Sequence, residues 1–122
     1  MELTLYTEGF FDAAHFIPGH SGKCASMHGH SWKVCVWVQG DSKYINNQGI
    51  LWDFGNVKTL IEPLDHKIIN NIFEKAPTAE NLVQYFYNDL KGKRPELKFR
   101  VRVYENTLSR QSYCEGGDSF NE

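Results

Sequence analysis

Apolar and polar residues alternate with period two along the first stretch of the chain. From residue 2 to 14, Leu3, Leu5, Thr7, Gly9, Phe11 and Ala13 fall on one face, and Glu2, Thr4, Tyr6, Glu8, Phe10 and Asp12 on the other. This is the signature of a half-buried strand. It ends near His15, which by parity lies on the more apolar face. A loop follows with Pro18, Gly19 and Gly22, and it carries Cys24. A second strand runs from about His28 to Gln39, with His28, His30, Trp32, Val34, Val36 and Val38 on a single face. Residues 40–49 are mostly polar turn chemistry. Asp53 or Asn56 is then placed to cap a helix whose Val57, Leu60, Ile61 and Leu64 follow the 3.6-residue period, and Pro63 ends or kinks it before Asp65-His66.

Ile68, Ile69, Ile72 and Phe73 suggest one short apolar turn of helix. Thr78 as N-cap, with Glu80 in the first turn, predicts a second helix over about 79–91, with Leu82, Val83, Tyr85, Phe86 and Leu90 inward and Gly92 and Pro95 stopping it. A third strand covers 97–105, its Leu97, Phe99, Val101 and Val103 facing one way. Glu105 falls on that same apolar face, where a carboxylate is costly unless it is paired or used; the other position open to it is past the strand end, in solvent. A last short strand is expected over 109–114, followed by a loose tail, 115–122. The element order predicts an α+β domain spanning residues 1–122, a four-stranded antiparallel sheet with both helices on one face. Its two edges are open to pairing between subunits.

Composition narrows the class. A chain of 122 residues can bury a core without staples. Its three cysteines, Cys24, Cys35 and Cys114, form no CxxC pair and no even framework, which argues for a reducing cytoplasm. The N-terminus has no basic region followed by an apolar one, and no long apolar run occurs, so neither secretion nor a membrane is expected. A net charge of -2 gives no footprint for nucleic acid. The basic stretch Lys91, Lys93, Arg94, Lys98, Arg100 and Arg102 reads as a solvated strand face, or alternatively as an attractor for a phosphorylated substrate.

The chemistry concentrates in Cys24-Ala-Ser-Met-His28-Gly-His30 and in His15. Two histidines two apart on a strand project from the same face and can share one metal. Three protein ligands with a fourth position open is the usual form of a catalytic zinc site. Three other arrangements stay open: histidines that are merely hydrogen-bonded, a structural zinc module closed by Cys24 as fourth ligand, and a non-catalytic binding module.

Six motifs, Ala14-His15, Cys24-x-x-x-His28-Gly-His30, Asp53-Phe54-Gly55, Leu64-Asp65-His66, Pro77-Thr78-Ala79-Glu80-Asn81 and Tyr104-Glu105, resemble in order those of the 6-pyruvoyltetrahydropterin synthase family. The three-residue gap between Cys24 and His28 is similar to that of its 6-carboxy-5,6,7,8-tetrahydropterin synthase branch, which serves queuosine and deazapurine biosynthesis. The resemblance implies a tunnelling fold in which ββααββ subunits join edge to edge in trimers, two of which stack into a homohexamer. It implies conversion of 7,8-dihydroneopterin triphosphate to 6-carboxytetrahydropterin with loss of acetaldehyde and triphosphate; the same fold also hosts the pyruvoyl reaction. It further implies zinc on His15, His28 and His30, Cys24 as base, and His66 oriented by Asp65 as partner acid or base, a pair that can act within one chain or reach the site from a neighbouring subunit. Glu105 would hold the pterin, assisted by Thr78 and Thr107. The competing role for Asp65-His66 is to cap a helix end. His20 is expected in solvent, and Lys23 is a candidate for a phosphate. The chain departs from the family pattern after Glu105, where Asn106 precedes Thr107.

Overall fold

The computed structural model describes residues 1–120; Asn121 and Glu122, the end of the expected tail, lie outside the described residues. β1 (Glu2–His15) and β2 (His28–Asp41) form a long antiparallel hairpin. Its register follows from burial, because a slip of one residue would turn the buried face of each strand to solvent. Phe11 therefore sits opposite Trp32, Ala13 opposite His30, and His15 opposite His28. The helix α1 (Asn56–Ile61) buries Val57, Leu60 and Ile61, and a 3-10 turn at Glu62–Leu64, with Pro63 in it, ends the helix before Asp65. Neither Asp53 nor Asn56 caps this helix with its side chain. Asp53 instead accepts from the Gly55 N–H at 2.8 Å and turns the chain one step earlier.

The predicted helical turn near Ile68 is divided differently. β3 (Lys67–Ile68) pairs in parallel with β1 at Ala13 and Ala14, and a 3-10 turn, Ile69–Asn71, buries Ile69. Two strand residues leave too short a periodicity to read. The helix α2 (Ala79–Lys93) begins at Thr78, whose hydroxyl oxygen accepts from Asn81 N–H at 3.2 Å. It passes through Gly92 and stops ahead of Pro95. Leu82, Val83, Phe86 and Leu90 are buried as predicted, but Tyr85 is 37% exposed and packs its ring edge on Phe73 and Phe86.

β4 (Lys98–Tyr104) alternates as read, with Phe99, Val101 and Val103 fully buried. β5 (Tyr113–Gly117) starts later than expected and runs into the segment taken as loose tail. Its cause is polar rather than hydrophobic. Glu115 accepts from Arg102 at 2.7 Å and from Arg100 at 2.9 Å. Asp118 then accepts from Tyr87 Oη, Lys91 Nζ and the Phe99 N–H at 2.6, 3.1 and 3.1 Å. Between them Gly117 takes φ +132°, where a Cβ would lie 2.3 Å from the Phe99 carbonyl oxygen.

The four antiparallel strands expected are present, with β3 added at one edge, in the order β3-β1-β2-β4-β5. Both helices cover one face and enclose a core built on Phe11, Trp32, Val36, Leu82, Phe86 and Phe99. No helix is long and apolar enough to cross a membrane among the described residues. Most of the basic stretch is spent on ion pairs: besides Arg100, Arg102 and Lys91, Lys93 meets Asp89 at 3.1 Å and Arg94 meets Glu96.

Candidate metal centre

The site forms where β1 ends, β2 begins and β4 has just ended. The hairpin register sets His15 directly across from His28, with His30 one step along the same face. The three ring centroids lie 4.6 to 5.1 Å apart. Trp32, fully buried, forms the floor at 4.9 Å from His15 and 5.4 Å from His30, and its indole N–H donates to the Ala13 carbonyl at 3.2 Å.

Backbone carbonyls orient two of these rings. His15 Nδ1 lies 2.8 Å from Pro77 O, and His28 Nδ1 lies 2.6 Å from Ser26 O. A carbonyl only accepts, so each Nδ1 carries the proton and each Nε2 is left with a lone pair. His30 is pushed below the ordinary histidine value, first by burial and further by His15 and His28, against the opposing charge of Glu105. Neutral imidazoles are the metal-binding form.

Glu105 sits one residue past β4 and points inward, as parity on Val101 and Val103 requires, rather than into solvent. Its Oε1 is 2.9 Å from His30 Nε2 and 3.3 Å from His15 Nε2. Neither Nε2 has a hydrogen-bond partner of acceptable geometry, although both are buried atoms. The Glu105 carboxyl is held below its usual range by the contact with His15, with the charge of His30 adding to this and burial opposing it. Together one ligand atom each from His15, His28, His30 and Glu105 lies within 4.8 Å of the others. Orphaned buried nitrogens beside a carboxylate fit a divalent cation with tetrahedral nitrogen and oxygen ligands. Cys24 is not part of this convergent group.

The remaining candidates lie around this centre. Cys24 is partly buried in a short 3-10 turn, Lys23–Ala25, where its carbonyl accepts from the Ile17 N–H. His66 is 78% exposed, with left-handed backbone at φ 57°, and lines a cavity of about 590 Å³ together with His30, Ser31, Lys67 and Asn106. Asp65 does not hold it by a hydrogen bond, because the approach to His66 Nε2 is 3.7 Å. Asp65 Oδ1 instead accepts from Asp12 N–H at 3.0 Å, and the His66 N–H donates to Asp12 O at 2.7 Å, so the pair docks on β1, while the Asp65 N–H, donating to Glu62 O at 3.2 Å, closes the end of the 3-10 turn. Thr107 donates its hydroxyl to Ser31 O at 3.2 Å, beside His30, and Thr78 follows the carbonyl that orients His15. His20 is exposed as expected, and so is Lys23.

Three contributors had no reading in the sequence. Pro77 and Ser26 act through backbone carbonyls, which no side-chain pattern reveals. Asn70 grips the residue after His15 with both ends of its amide, accepting from Phe16 N–H at 3.0 Å and donating to Phe16 O at 2.9 Å. A polar residue following the apolar run Ile68-Ile69 was its only signal.

A family model described as 6-pyruvoyl tetrahydropterin synthase matches residues 4–115. A protein of Archaeoglobus fulgidus, provisionally named 6-carboxy-5,6,7,8-tetrahydropterin synthase, is 38% identical over 100 residues, covering 79% of this chain and 82% of its own. The 6-carboxy-5,6,7,8-tetrahydropterin synthase of Synechocystis is 31% identical over 117 residues, covering 89% of this chain and 91% of its own. Among solved structures, 6-pyruvoyl tetrahydropterin synthase of Caenorhabditis elegans superposes with a TM-score of 0.71 at 22% identity, over 98% of this chain and 97% of its own, a likeness of fold. With this match over nearly its whole length, the chain belongs to the 6-pyruvoyl tetrahydropterin synthase family.

Proposed function

We propose that the protein is a zinc-dependent 6-carboxy-5,6,7,8-tetrahydropterin synthase, converting 7,8-dihydroneopterin triphosphate to 6-carboxytetrahydropterin with release of acetaldehyde and triphosphate in queuosine and deazapurine biosynthesis. The observation that carries the proposal is the convergence of buried imidazole nitrogens without hydrogen-bond partners on one point, beside an open cavity. The choice of branch rests on the relatives at 30% identity or more, which bear that name. The pyruvoyl alternative is borne by structural neighbours near 20% identity, which speak for fold alone. The convergent fourth group is Glu105, which favours this reading over a structural module closed by Cys24.

Zinc on His15, His28 and His30 would supply Lewis acidity toward the side-chain hydroxyls of the substrate. Pro77 and Ser26 hold the Nδ1 protons of His15 and His28, leaving the two Nε2 lone pairs free for the ion they would bind. Cys24 is the proposed base. His66, facing the cavity it shares with His30, is the proton partner, and its exposure suits use by or against a neighbouring subunit. Glu105 takes the pterin through paired hydrogen bonds from the ring's amino group and adjacent nitrogen. It borders a second cavity of about 320 Å³ with Glu80, Ser112, Tyr113 and Cys114. Thr78, next to the Pro77 carbonyl that orients His15, and Thr107, two residues past Glu105, are the proposed assistants. A cytoplasmic homohexamer completes the reading, supported by three free cysteines and by β1, which β3 covers only at Ala13 and Ala14.

The test is incubation of zinc-loaded protein with 7,8-dihydroneopterin triphosphate. Acetaldehyde and a 6-carboxy product support the proposal, a diketo side chain assigns the pyruvoyl reaction, and bound pterin with no product makes this a binding protein. In the Cys24→Ala variant, turnover should fall by roughly 10²–10⁴ with zinc retained; loss of the metal together with the fold would favour the structural module.

A further inference from the structure

We infer that Glu105 is the fourth ligand of the resting metal centre, and that it leaves the ion to take the pterin ring, opening a coordination position as the substrate arrives. The second half of this rests on the function proposed above.

The first half rests on distances. Ligand atoms bound at about 2.0–2.2 Å in a tetrahedron lie about 3.3–3.6 Å from one another. Glu105 Oε1 is 3.3 Å from His15 Nε2, the length of such an edge, and 2.9 Å from His30 Nε2, about 0.4 Å shorter than one. The contact is not a hydrogen bond, since neither nitrogen has acceptable geometry toward any partner. His15 spends its ring proton on Pro77 O, so its Nε2 presents a lone pair to a carboxylate oxygen. Two electron-rich atoms held face to face in a site where His15 is only 1% exposed repel each other unless a cation lies between them. His28 Nε2 is placed by the same logic, its Nδ1 being held by Ser26 O.

The second half rests on where Glu105 stands. Its side chain is 35% exposed and borders the cavity of about 320 Å³, so one carboxylate faces both the cluster and a space open to a ligand. Paired hydrogen bonds from a guanidine-like ring edge use both carboxylate oxygens. Oε1 cannot serve the ion and the ring edge together. Rotation about the Glu105 side-chain torsions would turn the carboxylate from the ion to the ring edge and leave that position for a substrate hydroxyl.

The experiment uses protein stripped of metal and reloaded with cobalt(II), with plain pterin, which lacks the side chain, as ligand. Glu105→Gln should bind cobalt about tenfold more weakly or worse in competition with a chelator. In the wild type, saturating pterin should change the visible cobalt spectrum and weaken cobalt binding by the factor by which cobalt weakens pterin binding, as linkage demands. Unchanged cobalt affinity in Glu105→Gln overturns the fourth-ligand assignment. A wild-type cobalt spectrum indifferent to bound pterin overturns the exchange. Should Glu105→Gln fail to fold, the wild-type spectrum decides alone. Absence of pterin binding overturns the exchange together with the proposed function, while the cobalt arm, needing no pterin, still decides the ligand assignment.

Discussion

Two polar clusters sit on the same sheet, and they are finished in opposite ways. Along β4 and β5, Arg100, Arg102, Glu115, Asp118, Lys91 and Tyr87 satisfy one another, with Asp118 alone accepting three hydrogen bonds. At the far ends of β1 and β4, His15, His30 and Glu105 crowd together with two buried nitrogens left without partners. Both clusters cost desolvation, and only the first recovers it within the chain. The difference separates a cluster that holds the fold from one that waits for something the chain does not contain.

Substitutions in each cluster should therefore fail in different assays. The largest effect is expected for His28→Ala: metal content after dialysis should fall to near nothing and turnover by several orders of magnitude, since a Lewis acid contributes several kcal/mol to such a step. Its urea midpoint in chelator should stay close to that of the metal-free wild type. Asp118→Ala should do the reverse, losing about 2–3 kcal/mol in urea unfolding by leaving Tyr87, Lys91 and the Phe99 N–H without their acceptor, with metal affinity unchanged. A metal defect in Asp118→Ala would break the contrast.

Acid sharpens it next. Burial works to raise both carboxyls, but Arg102 and Arg100 hold Glu115, and Tyr87, the Phe99 N–H and Lys91 hold Asp118, below their usual values. A depressed carboxyl stabilises the fold in full above its unfolded pKa and loses that contribution as pH falls through the folded one. Thermal melts of metal-free protein should therefore drop as pH falls below about 4, and Asp118→Asn should flatten that limb. The smallest effect is Thr78→Ala, about 1 kcal/mol from the lost cap, followed by circular dichroism. A larger loss of metal affinity than of stability there would mean that the cap also fixes Pro77 against His15.

Legibility in the sequence followed the same division. Period-two alternation made β1, β2 and β4 readable, and with them the shared face of His15, His28 and His30, because a strand needs only a few residues to declare its faces. Parity also placed Glu105 inward. β5 was read too early because its stability comes from Glu115 and from contacts to Asp118 rather than from apolar alternation. β3 is two residues long, and Tyr85 lies on the helix margin where Phe73 and Phe86 cover only part of it. The expected orienting of His66 by Asp65 does not run through a hydrogen bond between them, because Asp65 accepts from the Asp12 N–H instead, a tertiary contact across 53 residues that spacing cannot announce. Six family motifs supplied what periodicity never could, the substrate class.

The clamp of Asn70 on Phe16 spans 54 residues, and the carbonyl that orients His15 comes from 62 residues further on. A growing chain that has emerged only as far as His30 thus owns every imidazole of the centre but, of the groups that shape it, only the Ser26 carbonyl. At about 5–20 residues per second, roughly 4–15 s of synthesis separate His30 from Glu105. Through that interval the imidazoles exist without the carboxylate that converges on them, and the four-group arrangement is complete only once β4 and the residue after it have been made.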